Sequence, residues 1–345
     1  MDRELDAIDG EVTDAAPVIR SRARARFTIA AACSDGRMRP VSAAREHGEN
    51  MRLRTVTLMR ALAVLLSLSV PLTAAGPHAT RRLQETEFGD FEFRDERGRR
   101  DRPIHVWYAR SKGMAAEPRT VFVLHGDSRT GQMARDSVAR RLQSQPFIIV
   151  APHFRETEYP REVYDLGGTV DSNGVLQPRA DWALLLIEHL FDELRNRWSL
   201  TSNTYDIIGH SAGGQFVQRL VLFVPEARFR RAVASGPGTL ALPDEKISAP
   251  YGLGGVPMGS GGPATSLSRD FVLVVGERDI VETARPAAVL ALGANRVSRA
   301  FRFFAAAHEA AVRSGVPLVW RLRVVPNLDH APMENLAIDL QELLR

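Results

Sequence analysis

Cysteine is nearly absent from this chain: among 345 residues Cys33 is the only one. A disulfide framework, a cysteine zinc site and a thiol nucleophile are thereby excluded for everything after that position. Lysine is almost as rare, with only Lys112 and Lys246, so the basic residues are overwhelmingly arginine. They are interspersed with acids and leave a formal net charge of +4, which argues for a solvated surface and against a nucleic-acid partner. The densest basic run, RSRARAR from Arg20 to Arg26, sits in a stretch with no apolar periodicity. No Walker loop, dinucleotide fingerprint, HExxH pair or solenoid-spaced repeat is found. The chemistry is expected to need neither cofactor nor metal.

Apolar runs of membrane-spanning length are missing as well. The longest candidate, Ala61–Leu72, falls short of the about twenty residues a spanning helix needs. Arg52, Arg54 and Arg60 precede it and Thr73-Ala74-Ala75 follows, which is the layout of a secretory signal peptide starting at Met51. The expected organisation is a mis-assigned or disordered extension over 1–50, a signal peptide over 51–75, and one catalytic domain over 76–345. Export to the periplasm or medium follows, with no stable membrane anchor after cleavage.

What is present is an ordinary globular composition, 44% hydrophobic and 25% charged, with a regular alternation from Gln84 onward. FEFRD and PIHVWYAR read as two strands of period two. RTVFVLHG, PFIIVAPHF, YDIIGHS, FRRAVAS, FVLVVGERD and VWRLRVVPN are strand-like runs, most of them apolar enough for burial on both faces. Helical patterns separate them: Gln132–Leu142, ADWALLLIEHLFDELRNRW, AGGQFVQRLVLF, SRAFRFFAAAHEAAVRSG and MENLAIDLQELL. Strands alternating with helices imply an α/β fold, a mostly parallel central sheet with helices on both faces and an antiparallel N-terminal start.

One junction carries chemistry. Gly209-His210-Ser211-Ala212-Gly213 matches G-x-S-x-G between a strand and a helix, the turn that lifts a serine above the edge of a sheet. A serine hydroxyl needs a base, and the base an orienting carboxylate, in the chain order serine, acid, histidine. Asp279 follows the strand FVLVVGERD, and His330 follows the last strand. Glu277 competes for the acid's place, Asp329 is too close to His330 to orient it, His308 lies in an amphipathic helix, and His210 reads as a packing residue under the turn. The developing oxyanion calls for backbone donors, expected from Ala212 and from Asp127 in the loop after VFVLHG.

VFVLHGDS, GHSAGG, VGERD and NLDH together resemble the α/β-hydrolase superfamily over nearly all of Gln84–Arg345, and within it exported esterases of the polyhydroxybutyrate-depolymerase and feruloyl-esterase type. The resemblance implies the α/β-hydrolase fold, hydrolysis of a small-molecule or polymeric ester, and the roles of Ser211, Asp279, His330 and the Asp127 and Ala212 amides. Substrate contacts are expected from two inserted segments. Tyr251, Leu253 and Met258 in a lid or flap over 242–270 would form one wall, and Tyr159 in the polar excursion of 155–178 the other. Peptidase or amidase chemistry, or a non-catalytic binding role on the same fold, are the alternatives.

Overall fold

A computed structural model describes residues 85–112, 117–142, 146–258, 261–281 and 286–345. The expected extension of 1–50 and signal peptide of 51–75 lie outside the described residues. Among the described residues no helix is long and apolar enough to cross a membrane.

The elements follow in the order β1 (Thr86–Phe93), β2 (Ile104–Ser111), β3 (Arg119–Leu124), α1 (Gly131–Leu142), β4 (Phe147–His153), α2 (Arg161–Tyr164), α3 (Ala183–Trp198), β5 (Tyr205–His210), α4 (Ala212–Phe223), β6 (Phe229–Ser235), α5 (Gly262–Leu267), β7 (Phe271–Gly276), α6 (Ala287–Leu290), α7 (Arg296–Ser314), β8 (Arg321–Val325) and α8 (Pro332–Leu344). Burial follows the sequence pattern. β1 and β2 alternate between more and less buried positions, whereas every residue of β7 is buried, as an interior parallel strand requires. In α3 the repeat of Leu186, Leu190 and Leu194 is joined by Ile187 and Phe191 to make one buried face. A short 3-10 turn, Arg179–Asp181, replaces the first turn of the longer helix expected there. In α7 a capping box between Asn295 and Ser298 opens the helix and Gly315, at φ 65°, closes it.

The strands form one eight-stranded sheet in the order β1-β2-β4-β3-β5-β6-β7-β8. β2 pairs antiparallel with both β1 and β4, and the remaining pairings are parallel. After β3 the chain goes to β4 on one side, and later returns to β5 on the other. The order of connection therefore reverses at β3, and a crevice opens beyond the carboxyl ends of β3 and β5, where open α/β sheets bind ligands. The loop carrying Asp127 leaves β3 there and Ser211 leaves β5 there.

Two hydrophobic layers sandwich the sheet. One is built from α3, α4 and α7 on residues such as Leu190, Phe216, Leu220 and Phe303. The other is thinner and comes from α1 and α8, with Val138, Leu142, Leu340 and Leu343 over Val121, Ile149, Val233 and Val272. At about 1.5–3 kcal/mol per fully buried large apolar side chain, these layers supply the main force holding that edge of the sheet in place.

Candidate active site

Ser211 stands at φ 56° and ψ −113°, a left-handed conformation that costs a non-glycine residue about 1–3 kcal/mol and persists only where the surroundings dictate it. They do so by close backbone approach. A Cβ on Gly209 would lie 2.4 Å from the Gly213 carbonyl oxygen, and one on Gly213 would lie 2.4 Å from that of Leu124. Neither neighbour can give way, so both positions need glycine. The Ser211 N–H donates to the Ser235 carbonyl at 2.9 Å, and the Gln215 N–H to the Ser211 carbonyl at 3.0 Å, locking the turn onto β6 and α4.

The structure brings Ser211, His330 and Asp279 into one line. Ser211 Oγ is 3.1 Å from His330 Nε2, and His330 Nδ1 is 2.8 Å from Asp279 Oδ2. A carboxylate only accepts, so Nδ1 carries the imidazole proton and Nε2 is left to accept the serine hydroxyl. Asp279 is 3% exposed, and its second oxygen accepts from Arg296 Nη1 at 3.1 Å. The other acids stay out: Glu277 is exposed and accepts the Asn327 N–H, and Asp329 is exposed and accepts the Ala331 N–H. His308 is exposed on α7.

Two members of this arrangement escape sequence reasoning. Arg296 is one arginine among many, and only the fold carries it back to Asp279. Gly236, at φ 51°, faces the histidine and carboxylate, where a Cβ would come within 3.0 Å of His330 Nδ1. The signal available for it was only a Ser-Gly at a strand end.

The expected oxyanion donors lie at the same edge. Ala212 is the first residue of α4, and Asp127 sits in the turn that the Arg129 N–H closes on the Gly126 carbonyl at 3.1 Å. Neither the Asp127 nor the Ala212 N–H has an acceptor among the described residues. Arg129 Nη1 donates to the Phe154 and Tyr159 carbonyls at 2.8 and 2.9 Å and so anchors the loop. His125 beneath it accepts the Phe154 N–H on Nε2 and donates from Nδ1 to the Gly126 carbonyl. Burial pulls its pKa down to about 4, so it is a neutral strut.

Behind the line runs a second polar chain. The His210 ring lies 4.7 Å from that of His330, His210 Nδ1 is 3.1 Å from Ser235 Oγ, and Ser235 Oγ is 2.6 Å from Asp339 Oδ2. Burial lowers His210 to about 3, so its ring is neutral at physiological pH, and raises Asp339 well above the usual carboxylate range. His210 is thus the packing residue under the turn, with Ser235 as its partner. Among the described residues no cluster of three or more His, Cys, Asp or Glu side chains is placed to hold a metal ion.

A cavity of about 400 Å³ opens at Ser211 and His330. Its walls come from α1 and α8, and here the structure corrects the expected substrate pocket. Tyr159 and Leu253 are 1% and 3% exposed and belong to the core on the other side of the sheet, against which Tyr251 and Met258 also pack. None of the four lines the cavity. The physical reason is that 242–258 is folded down onto α4: buried Arg219 donates to the Pro250 carbonyl, the Leu242 N–H to Tyr251, and the Leu253 N–H to Asp244. Tyr159 instead donates its hydroxyl to the Arg102 carbonyl and packs edge-on against Phe154.

No protein-family model and no curated protein matches the chain. Solved structures do. Poly(aspartic acid) hydrolase-1 from Sphingomonas sp. KT-1 is 29% identical with a TM-score of 0.70, over 75% of this chain and 98% of that one. The poly(3-hydroxybutyrate) depolymerase LpqC from Bordetella parapertussis is 29% identical with a TM-score of 0.69, over 74% of this chain and 89% of that one. The chain has the α/β-hydrolase fold, and its likeness to these enzymes accords with the esterase and depolymerase type that its motifs resemble. It is a hydrolase of the carboxylesterase type.

Proposed function

We propose that the protein cleaves carboxylic esters through an acyl-enzyme on Ser211. His330 takes the proton of Ser211 as the hydroxyl attacks the ester carbonyl, Asp279 holds the resulting imidazolium, and the Asp127 and Ala212 amides stabilise the tetrahedral oxyanion. His330 then protonates the departing alkoxide and deprotonates the water that releases the acid. The observation that carries this reading is the unbroken hydrogen-bonded line from Asp279 through His330 to a serine held in a strained turn at the cavity.

The test is fluorophosphonate labelling together with turnover of p-nitrophenyl acetate. Ser211→Ala is expected to abolish labelling and to lower kcat by about three orders of magnitude or more. Labelling that persists in the variant would place the nucleophile elsewhere. Amide hydrolysis is the second reading, because one of the two neighbours is named for poly(aspartic acid), an amide-linked polymer. Faster turnover of p-nitroanilides than of the matching p-nitrophenyl esters would favour it. Export through the segment beginning at Met51 belongs to the same proposal, and a native N-terminus at Gly76 is the result expected from sequencing the mature protein.

A further inference from the structure

We infer that the cavity between α1 and α8 is a slot for an unbranched, uncharged acyl chain, and that it rejects acyl groups carrying a carboxylate. The inference rests on Ser211 being the nucleophile and adds the substrate class.

The slot exists because two helix faces that should meet do not. Met133, Ala134 and Ser137 fall on one face of α1, and Met333, Leu336 and Asp339 on one face of α8, at the three- and four-residue spacing of positions that normally pack. Further along, Val138, Leu142, Leu340 and Leu343 close over the sheet. Where α1 presents only Ala134 and Ser137, the small side chains leave a gap floored by Val123 and Ile208. From Thr130 to Ser137 the gap runs about 10 Å along α1. A space of that length confined between two helices suits a linear chain.

The cavity reaches Ser211 at one side, and Ser137 and Asp339 in its lining are buried, at 5% and 1% exposed. A pocket that runs from the nucleophile between two helices suits the acyl part of an ester. The acyl group stays attached to the serine through both half-reactions, whereas the alcohol has to leave before water can enter. The electrostatics then fix the class. Among the described residues no Lys or Arg lines the cavity. The acidic side chains present are Asp127, exposed at the mouth, and Asp339 within. A substrate carboxylate entering the slot would lose its water and meet no cation, which is strongly unfavourable.

The measurement is kcat/KM of the full chain for p-nitrophenyl acetate, butyrate and hexanoate and for the hemiadipate, the anionic counterpart of the hexanoate. Each buried methylene is worth about fourfold, so the hexanoate is expected to exceed the acetate by at least about tenfold. The hemiadipate is expected to fall at least about a hundredfold below the hexanoate. Ala134→Phe should fill the slot and bring the hexanoate-to-acetate ratio close to one. Met333→Arg, at a side chain 43% exposed and therefore no threat to folding, should raise the hemiadipate-to-hexanoate ratio by about tenfold.

A flat acyl series beside a rising series of alkyl acetates would put the chain on the alcohol side and overturn the slot. Hemiadipate turned over as fast as hexanoate would overturn the exclusion. If neither acetate turnover nor fluorophosphonate labelling is seen, the esterase reading fails and the slot with it. Labelling with a flat acyl series overturns the slot alone.

Discussion

Asp279 accepts from two sides, from His330 on one oxygen and from Arg296 on the other, and the difference between those partners is testable. Asp279→Asn disturbs the tautomer of His330 and is expected to lower kcat by about ten-thousandfold. Arg296→Gln leaves the carboxylate in place but less firmly held, and should cost about three- to tenfold in kcat with KM unchanged. Steady-state kinetics of the two variants checks both. Buried neutral groups nearby give a second handle, through stability. His125 and His210 have folded pKa values lowered to about 4 and about 3, so between those values and the usual 6.5 the unfolded chain binds protons that the native one does not. Their contribution is present at neutral pH and is lost as the pH falls through that window. Asp339 has the opposite sense: its raised pKa means stability is fully present below the ordinary carboxyl value of 3.8 and is lost as the pH rises toward the folded value. Each unit of that rise costs about 1.4 kcal/mol until the folded carboxyl ionises. Asp339→Asn should therefore gain more in Tm near pH 7 than near pH 4, as thermal unfolding at the two pH values will report. An equal gain at both would mean that Asp339 is charged in the fold. Ser211, His330 and Asp279 were legible as residues because each follows a strand end. Arg296 and Asp339 were not, because an arginine at a helix start and an acid in a helix carry no mark of what the fold brings against them.

The elements themselves were legible to the extent that hydrophobic period reports burial. The fully apolar runs became interior parallel strands, and the alternating runs became the antiparallel start. The cavity at Ser211 was not legible, for a reason visible in α1 and α8. A sequence shows that Ala134 and Leu336 lie on the inward face of a helix, but whether the opposing helix fills the space in front of them depends on distances that no single segment encodes. The Gly-rich segment after β6 misled in the other direction. It resembles a free flap, yet Arg219 in α4 ties it down, and Leu253 is buried beside that helix. Two glycines separate what a turn demands in conformation from what it demands in space. Gly255→Ala meets no neighbour within 4 Å, so only its φ of 81° resists, and a loss of about 1 kcal/mol is expected. Gly213→Ala drives a Cβ to 2.4 Å from the Leu124 carbonyl and should cost at least about 3 kcal/mol, together with activity, because β3 carries the loop of Asp127, the proposed oxyanion donor. Denaturant unfolding of the two variants separates the conformational cost from the steric one.

At the scale of the whole molecule the question is what so many arginines do. Where their partners are visible they hold the fold together: Arg119 and Arg230 share Asp206, Arg231 and Arg321 share Asp270, and Arg228 bridges Glu188 and Asp192. With 45 basic against 41 acidic residues interspersed along the chain, the field left over at a distance is weak, and among the described residues no arginine lines the cavity at Ser211 to focus it. An enzyme that gathers an anionic polymer by its charge has an association rate that falls steeply with ionic strength, since exposed charges farther apart than about 10 Å are screened at 0.1 M salt. One that seats a neutral chain in an apolar slot has no such term, and salt acts on it only by slightly strengthening apolar burial. For this protein kcat/KM on the anionic p-nitrophenyl hemiadipate is expected to change by less than about twofold between about 0.05 and 0.5 M sodium chloride, with any drift upward. A fall of tenfold or more over that range would mean that the surface arginines, not the slot between α1 and α8, bring the substrate in, and the preference for uncharged acyl groups would have to be given up.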